Sequence, residues 1–117
     1  MENINLSISN VYEAQEALAT LLSQRETLRS LIVDRDAISK RTNMQGTITN
    51  ISKDSLFVNY ECWVSIPIQI DLYDSLIDVD ESVKESIVNF KNTFTQERKL
   101  KLLIQKLKKK ESLNSVL

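Results

Sequence analysis

"FTQERKLKLLIQKLKKK", residues 94–110, has the leucine-and-lysine make-up of a helix with one buried side and one wet side. Its apolar positions decide the fold, because they do not continue the stripe directly upstream. Val83, Ile87, Phe90 and Phe94 recur at helical spacing. Continuing that stripe calls for apolar groups near 97, 98, 101, 105 and 108, where the chain has Glu97, Arg98, Lys101, Gln105 and Lys108. The next apolar set is Leu100, Leu103, Ile104 and Leu107. At about 100° per residue, Leu103 lies roughly 180° from Phe94. Two readings fit this pattern. A helix over 78–110 breaks near 93–95, with Thr93 and Gln96 forming a new cap, or one continuous helix serves two partners with opposite faces. Either way the second apolar face is expected to need separate cover. Leu100, Leu103, Ile104 and Leu107 are therefore candidate interface residues, and the protein is expected not to be a monomer.

The other end of the chain supplies an obvious partner. Asn10 to Glu13 has capping-box form, and Val11, Ala14, Leu18, Leu21, Leu28 and Ile32 follow at steps of three and four. Ala17, Leu22, Leu31 and Ile38 widen the stripe, which predicts a helix over 10–41. Arg25 and Arg35 fall on the same stripe, where a charge can fix the register between helices, snorkel to an edge, or meet a bound anion. Upstream, Ile4, Leu6 and Ile8 alternate with polar residues and predict a short strand.

Between the helices the period changes from 3.6 to 2. Ile48 and Ile51 follow Gly46, "SKDS" at 52–55 makes a polar turn, and Leu56, Val58, Tyr60, Cys62, Val64, Ile66, Ile68 and Ile70 share one phase. A single strand of that length is out of proportion to the usual 5–6 residues or so, so a bend near Glu61 is expected to divide it. Pro67 has no N–H for a ladder, so its strand is expected to lie at a sheet edge or to end there. Phe57 and Trp63 stand in the opposite phase, on the wetter face, and are candidate binding residues; Cys62 is expected inside.

The fold class expected is therefore α+β. Two long antiparallel helices, a helical hairpin of coiled-coil type, flank an antiparallel β-meander of three to four strands over 46–70, in one domain of 117 residues. A hydrophobic content of 42% and a charged content of 26% exclude a disordered chain. The lone Cys62 and the absence of His leave no disulfide, no thiol enzyme pair and no usual transition-metal ligand set. Asp71, Asp74, Asp78, Asp80 and Glu81 lack the glycine and spacing of a calcium loop. No catalytic residue, metal or cofactor is expected. With no signal-like start and no apolar run of about 20 residues, the expected location is the cytoplasm, without a membrane span.

Charge is segregated along the chain. Residues 61–97 hold two basic and eight acidic side chains, and residues 98–117 hold seven basic and one acidic. The basic patch is Arg98, Lys99, Lys101, Lys106, Lys108, Lys109 and Lys110. It reads as a solvated helix face, or as a contact for the acidic stretch of a neighbouring copy, for a membrane surface or for nucleic-acid phosphates.

The order of long helix, small β-region and long helix resembles a prefoldin subunit over nearly the whole chain, on architecture and length. In that family β-hairpins assemble the subunits and helix tips hold unfolded clients. The resemblance implies a chaperone- or adaptor-like protein, non-catalytic, forming homo- or hetero-oligomers through helix and sheet-edge interfaces. The alternatives are a sequestering or inhibitor protein of phage or mobile-element type, holding a small anionic ligand or a protein between subunits, and a nucleic-acid accessory protein using the basic helix.

Overall fold

Asn10 opens the first helix as its sequence predicts. The Glu13 N–H donates to Asn10 Oδ1 at 2.8 Å, and the Glu13 carboxylate reaches back to the Ser9 N–H at 3.1 Å. The computed structural model describes residues 8–61 and 64–116, with side-chain surroundings through residue 112. The strand expected around Ile4 and Leu6, together with Cys62 and Trp63, lies outside the described residues.

Helix α1 runs Val11–Ile32 and ends nine residues short of its expected end at 41. Asp34 takes a left-handed backbone (φ 69°), and the Asp34 N–H donates to the Ile48 carbonyl at 2.8 Å. A short polar side chain tolerates that conformation, so the stop needs no glycine. The helix is followed by strands β1 (Asp36–Ser39), β2 (Gln45–Ile51), β3 (Ser55–Asn59) and β4 (Ile66–Gln69). A one-turn helix α2 (Tyr73–Leu76), strand β5 (Ile77–Asp78) and helix α3 (Glu81–Val116) complete the chain.

The contacts divide the chain into two compact units, residues 26–91 and residues 1–25 with 92–117. Unit 26–91 holds the sheet, which is antiparallel throughout, in the order β4-β3-β2-β1-β5. It has five strands rather than the three or four expected. The meander β1 to β4 is extended by β5, which returns beside β1. The expected turn at 52–55 is present, with the Ser52 N–H donating to the Ser55 carbonyl at 2.8 Å. The long alternating run does divide, with Glu61 at φ 88° between β3 and β4.

Ala37, Ile48, Ile51, Leu56, Val58, Ile68 and Ile77 are buried on one sheet face, and Ile32, Val83, Ile87 and Phe90 bring the helices into the same core. The opposite face carries the exposed Ile38, Gln45, Thr47, Pro67 and Gln69 and the half-buried Phe57, without such cover from the described residues of this unit. Within this unit, residues 26–32 of α1 and 81–91 of α3 thus share one side of the sheet rather than flank it, because only one row of side chains is apolar enough to bury them. Gly46 is needed for packing rather than for a turn. A Cβ there would stand 2.7 Å from Tyr60 Cδ1 and 2.8 Å from the Asn59 carbonyl.

The unit formed by 1–25 and 92–117 pairs α1 with α3. The Val11 N–H donates to Glu111 Oε1 at 3.3 Å, and Arg25 Nη2 meets Glu97 Oε1 at 2.5 Å. Low numbers meet high ones at both points, so the helices are antiparallel here. This register sets Leu21 level with Leu100 and Leu18 level with Ile104. Leu21 and Leu100 are each 1% exposed, so the core of this unit is dry at that level.

Helix α3 does not break near 93–95. Its buried line runs Ile87, Phe90, Thr93, Leu100, Ile104, with Thr93 wholly buried and the half-buried Glu97 completing the steps of three and four. The stripe passes through Thr93, and Phe94 stands to one side. What reads in sequence as a change of face is a polar layer within one face.

Candidate functional site

That polar layer is the most organised group of charged side chains in the molecule. Arg25 comes from α1, one turn after Leu21, and its partners Thr93, Phe94 and Glu97 come from successive turns of α3. Arg25 Nε donates to Thr93 Oγ1 at 2.9 Å, and the guanidinium carbon lies 3.8 Å from the centre of the Phe94 ring. Glu97 uses its second oxygen for Lys101 Nζ at 2.8 Å. The Arg25 and Glu97 side chains are only 11% and 18% exposed. The Lys101 hydrogen bond first, and then that of Arg25, hold the Glu97 carboxyl below the ordinary glutamate range, against the opposing effect of burial. Arg25 matches Thr93 and Glu97 across the two helices, which suits positioning of the helices against each other.

The second arginine of the expected pair stands elsewhere. Arg35 lies past the end of α1, exposed, with its Nε on the Leu31 carbonyl at 3.3 Å. The side chain one turn on from Arg25 is Arg29, which sequence reasoning missed although the spacing of four was visible. In unit 26–91, Arg29 Nη1 donates to Asn50 Oδ1 at 2.9 Å and to the Ile51 carbonyl, beside the register shift between Ile48 and Asn50. Its guanidinium carbon is 5.3 Å from the Phe90 ring centre. Arg29 thus ties α1 to the irregular end of β2, where the ladder by itself leaves backbone groups to satisfy.

The leucine group expected to need a separate partner is split. Leu100 and Ile104 are buried, and Leu103 and Leu107 are half-buried. Leu102, which was not singled out, is the exposed one at 52%. The seven cations of the basic patch are all exposed, and among the described residues only Lys101 makes an ion pair. The acidic stretch finds partners close at hand: Asp71 pairs with Lys91, Asp74 and Glu81 with Lys84, and Asp78 with Lys40. Three lysines serve four of its acids, and among the described residues Asp80 and Glu85 make no ion pair, so the stretch keeps a net negative charge. Among the described residues no three His, Cys, Asp or Glu side chains gather into a set that could hold a metal ion.

Phe57 sits half-buried in the middle of the uncovered sheet face, between β2 and β4, opposite Asn50 and Pro67. Thr49 Oγ1 and Ser65 Oγ lie 2.6 Å apart on the same side. The β4 edge is poorly suited to strand addition. The Ile70 N–H points to the Asp54 carbonyl, so Ile66 and Ile68 also face β3, and the backbones of Pro67 and Gln69 face outward. Pro67 removes the central outward donor, a common way to blunt an edge. The opposite edge, β5, is two residues long.

Comparison with family models, curated proteins and solved structures finds no match to this chain. Among the described residues, no helix is long and apolar enough to cross a membrane.

Proposed function

We propose that this protein is a non-catalytic binding and assembly module that self-associates through the uncovered face of its sheet. The observation that carries the reading is the composition of that face. Its polar side chains are Gln45, Thr47, Thr49, Ser55, Asn59 and Gln69, with Ile38, Phe57 and Pro67 among them. Its charged groups, Asp36 and Asp78 with the Lys40 that pairs with Asp78 at 3.7 Å, are confined to the β1 and β5 side, and the strands β2, β3 and β4 carry no charged side chain. A sheet face meant for water normally carries lysine and glutamate, whereas the centre of an interface is depleted of charge and holds aromatic anchors. Hydroxyl and amide groups both donate and accept, so the face can complement a second copy of itself about a two-fold axis. Sheets stacked face to face lie about 10 Å apart, close enough for Phe57 and Ile38 to interdigitate with their counterparts.

The chaperone- or adaptor-like form of this reading is supported by the helix–sheet–helix order and the antiparallel pairing of α1 with α3. Assembly through the sheet face takes the place of the sheet edge, since Pro67 blunts β4. Sedimentation equilibrium at tens of micromolar tests the proposal. The wild-type chain is expected to be dimeric or larger, and Thr47→Lys, which places a cation at the centre of the exposed face, is expected to yield a folded monomer. A wild-type monomer, or a Thr47→Lys variant that assembles as the wild type does, overturns it.

A further inference from the structure

We propose that the outward face of α3 around Leu102 binds the phosphate backbone of double-stranded nucleic acid without reading its sequence. At about 100° per residue, Arg98, Lys99, Lys106 and Lys109 all project within roughly 60° of the direction of Leu102. All four are exposed, and among the described residues none of them makes an ion pair. They span twelve residues of an unbroken helix, about 17 Å from first to last at a rise of about 1.5 Å per residue. Duplex nucleic acid presents one charge per ~1.7 Å of axis, so about ten phosphates pass along that length. A straight row of cations on a helix held rigidly against α1 needs little ordering on binding.

The overall charge of −1 conceals this surface. Residues 1–25 with 92–117 carry eight basic and five acidic side chains, whereas residues 26–91 carry seven and eleven. Among the described acids of the same unit, Glu97 pairs with Arg25 and Lys101, Glu13 serves the α1 cap, Glu16 accepts from Tyr12 and Glu111 accepts from the Val11 N–H, and none makes an ion pair with the row. A membrane surface is the weaker partner. A helix that lies in a bilayer interface inserts a broad apolar face. Here Leu100 and Ile104 are already buried, and Leu102 is the sole apolar residue in the basic row.

The test is fluorescence anisotropy of the full chain with a labelled random-sequence 20-base-pair duplex, from 25 to 200 mM salt. Four phosphate contacts per bound chain give a log–log slope of about −3.6, so affinity falls on the order of a hundredfold between 50 and 200 mM. Each single Lys→Gln variant in the row lowers the slope by about 0.9, and R98Q/K99Q/K106Q/K109Q together abolish binding. Gln is nearly as good a helix former as Lys, and a normal far-ultraviolet circular dichroism spectrum verifies the fold. The control R41Q/K53Q, which removes two exposed cations of the other unit, leaves the slope unchanged. No binding at 25 mM salt, a slope shallower than about −1, or equal binding by the quadruple variant overturns the proposal. So does binding to vesicles containing a third phosphatidylserine in place of the duplex, particularly if Leu102→Gln abolishes it. Sedimentation without nucleic acid reads the sheet-face assembly separately, so the two proposals fail independently.

Discussion

Replacing Glu97 by Gln keeps the shape of the polar layer and removes its one negative charge. Arg25, 11% exposed, then keeps Thr93 and the Phe94 ring but loses its carboxylate, and Lys101 loses its partner at 2.8 Å. A hydrogen bond to a charged group contributes about 1.5–3 kcal/mol, and stripping one partner from a buried ion pair costs about 3–5 kcal/mol. The pair is partly solvated, so we expect the lower range, about 2–3 kcal/mol, or on the order of 10 °C in Tm for a chain of this size. The loss depends on pH in a defined direction. The folded-state carboxyl of Glu97 is depressed, so its contribution is complete above the ordinary value of 4.5 and disappears as pH falls through the lower folded value. Urea denaturation followed by circular dichroism at pH 7 should separate wild type from Glu97→Gln, and the two curves should converge in strong acid. The triple variant R25M/T93V/E97L, which replaces the whole layer by apolar groups, should be at least as stable as wild type. A Glu97→Gln variant within about 0.5 kcal/mol of wild type at pH 7 would refute the view that this layer joins the helices.

Other consequences can be checked by the same denaturation assay. Gly46→Ala should destabilise by about 1–3 kcal/mol, since its Cβ would meet Tyr60 and the Asn59 carbonyl inside 3.0 Å. Arg29→Ala should cost about 1–2 kcal/mol through Asn50 and the Ile51 carbonyl, whereas Arg35→Ala should stay within about 0.5 kcal/mol. Asp34→Gly should be neutral or stabilising by up to about 1 kcal/mol, because glycine adopts the left-handed backbone without strain.

The features legible in the sequence were those written in local chemistry. The Asn10–Glu13 cap, the 52–55 turn, the division near Glu61 and the edge position of Pro67 each depend on a few adjacent residues, and each is present in the structure. The end of α1 was illegible because Asp34 supplies a left-handed residue without glycine, while Ile38 falls by coincidence at helical spacing. Strand β1 was hidden for the same reason, and β5 is too short to show a period. The continuity of α3 was obscured by assigning Phe94 rather than Thr93 to the buried line. Spacing cannot distinguish a polar layer matched across two helices from the end of a stripe, because the matching group, Arg25, lies 68 residues away. The charge-poor β2–β4 part of the sheet face was likewise invisible until pairing placed Gln45, Thr47, Phe57 and Gln69 side by side.

Isotope-filtered nuclear Overhauser spectroscopy on an equimolar mixture of 13C-labelled and unlabelled chains tests the central claim most directly. Cross-peaks between chains from the Phe57 ring and the Ile38 methyls are expected, with none from the Ile48 or Val58 methyls, which are fully buried on the other side of the sheet. Intermolecular cross-peaks confined to the outward helix surfaces, or none at a concentration where the chain is associated, would contradict assembly through the sheet face.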